Sequence, residues 1–131
     1  MGNYKSICDV RDEDLSFYNN IKKNNMEGKV LKVIDTNKFV VVVNHNRVLK
    51  KFICKGRGYK LKNKNDRINS ILRLNTLLNL TGGLINVSSF GTDENGLLLV
   101  EMTSNKLDKS INNIMLMEQY IEREINYNFI I

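Results

Sequence analysis

Between Gly28 and Tyr59 the chain runs through three β-rich stretches separated by two short polar breaks, the pattern of a three-stranded meander. In the first, Glu27 to Asp35, Val30 alternates with Lys29 and Lys32 before Val33-Ile34. Asp35-Thr36-Asn37-Lys38 reads as a turn, because these side chains bond their own backbone. Phe39 to Val43 is continuously apolar and β-branched, so this strand is covered on both sides or bent into a barrel. Asn44-His45-Asn46 suits a hairpin tip, since Asn and His tolerate positive φ. Val48 to Lys55 is the third strand, with Phe52 and Cys54 on one face and Lys51, Ile53 and Lys55 on the other. Gly56 to Asn65 has no periodicity and reads as loop.

Beyond it the period lengthens. Asp66 or Asn65 caps a helix running to about Leu80, with Ile68, Ile71, Leu72, Leu74, Leu77 and Leu78 as its apolar stripe. Gly82-Gly83 ends it. Leu84 to Phe90 and Leu97 to Met102 form a hairpin around residues 91–96. Lys109 to Ile125 is a last amphipathic helix, with Ile111, Ile114, Met115 and Ile121 on one side. Near the N-terminus, Leu15, Tyr18 and Ile21 would share one helix face, so Asp9 to Asn25 is either a short docked helix or an unstructured arm. The order β-β-β-α-β-β-α defines an α+β class: a five-stranded OB-fold barrel with two main helices, the first plugging one end. The chain divides into an arm (1–26), the barrel domain (27–125) and an apolar tail (126–131).

At 131 residues there is material for one core. The net charge of +6 favours phosphate-bearing partners or anionic membranes. That charge is concentrated in the stretch after the third strand, where Lys55, Arg57, Lys60, Lys62, Lys64 and Arg67 meet a single acid, Asp66. This basic loop is the candidate functional face. Cys8 and Cys54 fit neither a disulfide framework nor a zinc pattern, and Cys54 reads as a small buried apolar residue. With no signal peptide and no long apolar run, the expected setting is a reducing compartment, cytoplasm or nucleus. Met1-Gly2 with Ser6 matches the myristoylation pattern, so a membrane partner is expected only if Gly2 is acylated. The absence of Pro and the abundance of Asn and Lys fit an AT-rich genome; a virion location applies only to a viral source.

Three segments carry a family resemblance. Lys29 to Phe39, with Ile34-Asp35-Thr36-Asn37-Lys38, resembles the opening strand and Ile-Asp-Gly-Asp-Thr turn of staphylococcal nuclease-like domains. Thr92 to Val100 resembles their Thr-Asp-Lys-Tyr-Gly-Arg hairpin, and Ile111 to Leu116 their Val-Asn-Glu-x-Leu-Val helix. Roughly seven tenths of the chain is covered. The resemblance implies a calcium-dependent phosphodiesterase cleft, with two metal-binding Asp, a Glu for the attacking water and two Arg on the phosphate. Those positions fall here on Asn37, Gly56, Tyr59, Lys51 and Leu97, and only the flanking Asp35 remains. A hard cation needs anionic oxygens, so no metal, no cofactor and no catalytic residue is expected.

What the resemblance then implies is a pseudoenzyme holding DNA or RNA directly. Lys51, Lys55, Arg57, Lys60, Lys62 and Lys64 would hold phosphates and Tyr59 would stack on a base. One alternative is a protein-interaction or scaffold module, membrane-attached if Gly2 is myristoylated and pairing with a partner or with itself through Phe129, Ile130 and Ile131; another is a residual nuclease with a different metal arrangement.

Overall fold

The polar breaks turn the chain back twice. β1 (Lys22–Asp35), β2 (Lys38–His45) and β3 (Val48–Gly56) form the antiparallel meander. The structure, a computed structural model, describes residues 6–124. At the β2–β3 tip, Asn46 and Arg47 both take positive φ, 53° and 69°, the pair of left-handed residues that a two-residue hairpin turn requires. β1 begins at Lys22 rather than Glu27, with a register shift between Lys23 and Met26. Asn25 absorbs that bulge with φ 57°.

The stretch predicted as loop instead contains β4 (Tyr59–Leu61). After it come α1 (Arg67–Leu80), β5 (Leu84–Thr92), β6 (Leu98–Thr103), α2 (Ile111–Met117) and β7 (Ile121–Arg123). β6 joins β3 in parallel through Cys54–Gly56, and β5 returns to β1, closing a barrel in the order β1-β2-β3-β6-β5. The class is α+β, a five-stranded OB-like barrel with two helices. Closure leaves no open sheet edge along most of its length. Phe39, Val41, Phe52, Val87, Val100 and Met102 fill the interior.

α1 sits at the end of the barrel where β1 turns into β2. Thr36 Oγ1 and Ser70 Oγ lie 2.6 Å apart there, both residues buried. Leu74, Leu77 and Leu78 face the core, but Ile68 and Leu72 from the predicted stripe are 71% and 59% exposed. One helix face cannot bury apolar residues on every side, and the inward turn is taken by Ser70. Gly82 and Gly83, both at positive φ, end the helix, with Gly83 N–H bonded to Leu78 O.

α2 is much shorter than the predicted 109–125 helix. Ser110 caps it by accepting from Asn113 N–H at 3.1 Å. Gln119, at φ 67°, then redirects the chain so that Ile121–Arg123 pairs with β4.

The N-terminal arm is not helical over 9–25; it contains one 3-10 turn, Asp12–Asp14. Ile7 and Val10 pack with the outward-facing Val42 and Leu49, flanked by Leu15 and Leu31. This second small core explains the unbroken Phe39–Val43 run, whose alternate residues face the barrel interior and the arm. Farther along, Phe17 bridges to Lys51, and Tyr18 N–H donates to Lys51 O at 2.8 Å. The arm thus follows the part of β3 that β6 does not reach. Among the described residues no helix is long and apolar enough to cross a membrane. Gly2, Phe129, Ile130 and Ile131 lie outside them.

Candidate nucleic-acid interface

Four of the six positions expected to replace a hydrolytic cleft gather where the β1–β2 turn meets the end of β3. Asn37 holds them together. Its Nδ2 donates to Gly56 O at 3.2 Å and Tyr59 O at 2.8 Å, and its Oδ1 accepts from Gly56 N–H at 3.1 Å. A carboxylate at this position would have no proton to donate to those two carbonyls. Gly56 has no room for a side chain, since a Cβ there would lie 2.3 Å from Asn112 Nδ2 and 2.5 Å from Asn37 Oδ1. Asn112 is buried, and its Nδ2 has no hydrogen-bond partner.

Asp35 accepts from Thr36 N–H at 2.7 Å and from Arg67 Nε at 2.8 Å. Partial burial opposes its ionisation, but the Arg67 and Thr36 hydrogen bonds and the charges of Arg67 and Lys38 outweigh it and hold the carboxyl below its usual range. It is an ion-paired turn residue. Among the described residues no three His, Cys, Asp or Glu side chains converge on a point that would hold a metal ion. Lys51 and Leu97 stand apart from this group: Leu97 closes the β5–β6 turn through its N–H to Asp93 Oδ1.

The residues proposed to hold nucleic acid meet different fates. Lys51 is 5% exposed; its Nζ bonds Asp12 O at 2.7 Å and Oδ1 at 2.8 Å and lies 4.2 Å from the Phe17 ring centre. It anchors the arm. Tyr59 is buried in the core with Arg123 over its ring at 5.6 Å, so it presents no free face for stacking on a base. Lys55 pairs with Glu124, and the Arg57 guanidinium lies 4.3 Å from the Phe90 ring centre. Lys60, Lys62 and Lys64 are exposed. Lys60 stands 3.8 Å from Glu122, and Lys62 donates to Gln119 Oε1 at 3.3 Å. Glu122 and Glu124 arrive with β7, whose Ile121, Glu122 and Arg123 pair antiparallel with Leu61, Lys60 and Tyr59 and were legible only as a helix end. A groove of about 450 Å³ beside Lys62 is lined also by Asp66 and Glu118, so it carries both signs of charge.

A second set of cations escaped the sequence reading because it is scattered along the chain. Lys23, Arg47 and Lys50 lie around the β2–β3 tip with His45, and Lys50 Nζ stands 5.1 Å from the ring centre of the half-exposed Tyr18. The interspersed aromatic residues of the arm were the available signal.

Comparisons with known protein families, with characterised proteins and with solved structures find no match for this chain. Fold and site together define a basic, OB-like α+β barrel.

Proposed function

We propose that this barrel is a staphylococcal nuclease-like pseudoenzyme that holds nucleic acid and does not cut it. The observation that carries this reading is the solvent-facing row Lys60, Lys62 and Lys64 along and just beyond β4. The chain bends at Lys62 and enters a 3-10 turn at Lys64, and these three exposed ammonium groups within five residues offer phosphates a local positive surface. The Glu122 contact does little to cancel it, because exposed pairs contribute only about 0–1 kcal/mol and salt screens them. The closed Asn37–Gly56–Asn112 corner supports the non-hydrolytic half of the reading. It offers amides where phosphodiester hydrolysis on a hard cation needs carboxylates.

Titration of a single-stranded oligonucleotide tests this. Three phosphate contacts predict a log–log salt slope of about −2, a loss of about 20-fold for a roughly fourfold rise in salt. Changing Lys60, Lys62 and Lys64 together to Glu should weaken binding and make that slope shallower. Incubating DNA and RNA with calcium, magnesium or manganese should leave both intact.

A protein-interaction role is the second reading, supported by Ile68 and Leu72, exposed one turn apart on α1. It predicts concentration-dependent association that Ile68→Asp abolishes.

A further inference from the structure

α1 seals one end of the barrel; the other end, about 23 Å away along the eight residues of β2, is built from the β2–β3 tip, the start of β1 and the arm. Register places the side chains around this mouth. Lys50 lies opposite Val43, and Lys23 opposite Ser89. Cross-strand partners share a face, so both lysines continue the inward face of the barrel past the point where its apolar core stops. Lys50 Nζ donates to His45 Nδ1 at 3.1 Å, which puts the neutral ring's proton on Nε2, and lies 5.1 Å from the Tyr18 ring centre. Lys23 Nζ donates to Asn46 Oδ1 at 3.3 Å, next to the exposed Arg47. Among the described residues none of Lys23, Arg47 and Lys50 has a carboxylate partner. Slight desolvation, together with the charges of Lys50 and Lys23, holds the His45 imidazole below its usual range, as expected inside a positive field.

We propose that this mouth is a second nucleic-acid site, selective for single strands: Lys23, Arg47 and Lys50 hold the phosphates, and Tyr18 stacks on a base. It rests on the nucleic-acid reading given above but uses the opposite end of the molecule. Lysines alone would accept any polyanion. The Tyr18 ring narrows the choice, because Tyr18 keeps 46% of its surface in solvent, and the arm fixes it in place through the hydrogen bond from its N–H to Lys51 O. A fixed, half-exposed ring flanked by cations suits an unpaired base, whose face is free, and not a duplex, whose bases are already stacked.

The test uses the full chain, with a labelled single-stranded oligonucleotide, its duplex, and inorganic polyphosphate as a probe that lacks bases. Lys23→Glu with Lys50→Glu should weaken single-strand binding at least tenfold. Tyr18→Ala should cost about tenfold for the oligonucleotide and leave polyphosphate binding unchanged, while Tyr18→Phe retains the wild-type preference. An unchanged thermal transition in Tyr18→Phe and Lys23→Glu keeps loss of folding from mimicking these results. If the β4 triple substitution abolishes binding and the mouth variants do not, the mouth is overturned and the nucleic-acid reading stands. Wild-type protein that binds no nucleic acid at low salt overturns both. Equal affinity for polyphosphate and oligonucleotide, insensitive to Tyr18→Ala, reduces the mouth to a general anion site and overturns its selectivity.

Discussion

The two ends of β2 carry similar numbers of nearby cations and arrive at opposite electrostatics. At the α1 end, Lys55, Lys60 and Arg67 each face a carboxylate, from Glu124, Glu122 and Asp35 respectively. At the tip end, Lys23 faces Asn46, and Lys50 faces His45 and Tyr18. The first cluster is dense in sequence, the second only in space. A run of lysines therefore says little about local potential until the strand that pairs with it is known. β7, three residues long, brings acids beside Lys55 and Lys60 and leaves Lys62 and Lys64 in solvent.

The contrast breaks most readily at the packed corner. Gly56→Val should destabilise the protein by about 3 kcal/mol, because a β-branched side chain must displace both Asn37 and Asn112. Thermal or urea unfolding reads this directly.

Asn37→Asp places a carboxylate at this corner but removes the donor to Gly56 O and Tyr59 O. The expected cost is about 2 kcal/mol, with no shift in unfolding temperature on adding calcium. A calcium-dependent rise would mean that the corner remains a metal site in waiting.

Lys51→Ala removes the anchor of the arm at Asp12 and should cost about 1–2 kcal/mol. It should also raise cleavage within residues 6–21 under limited proteolysis, while the barrel stays intact.

The smallest effect belongs to the Arg73–Glu118 pair, bonded through both carboxylate oxygens at 2.7 Å and about one-third exposed. The Arg73 hydrogen bond is the first cause holding the Glu118 carboxyl below its usual range, and partial desolvation opposes it. A lowered folded-state value means that this stability is fully present above the ordinary glutamate range. It fades as pH falls through that range and is gone below the folded value. Discounted for solvent screening, Glu118→Gln should cost about 0.5–1 kcal/mol at neutral pH and nothing in strong acid, as pH-dependent unfolding would show.

Much of the barrel was legible because its signals are local. The Asp35–Lys38 turn and the alternation of Phe52 and Cys54 with Lys51 and Ile53 follow from residues within a few positions of one another; the hairpin tip expected at Asn44–Asn46 lies instead at Asn46–Arg47, because Asn44 and His45 pair with Leu49 and Val48. Cys54 is buried as expected, and burial pushes its thiol up. What could not be read depends on distant pairing. β4 and β7 are three residues each, too short for periodicity, and each exists because the other is there. α2 ends early for the same reason, since Ile121 is needed in the core beside β4. Leucines on several sides of α1 concealed that Ser70, bonded to Thr36, takes an inward place while Ile68 and Leu72 face solvent. At the candidate site the sequence singled out Asn37 but not its structural task, which is to bond backbone on both sides of the Arg57-Gly58 turn.

One titration bears most directly on whether this barrel holds nucleic acid without cleaving it. Labelled single-stranded oligonucleotide is mixed with the protein in calcium at stepped salt concentrations, and each mixture is read for both bound fraction and strand length. Full-length oligonucleotide whose binding weakens steeply with salt is the predicted result; shortened strands, or no binding even at low salt, would contradict it.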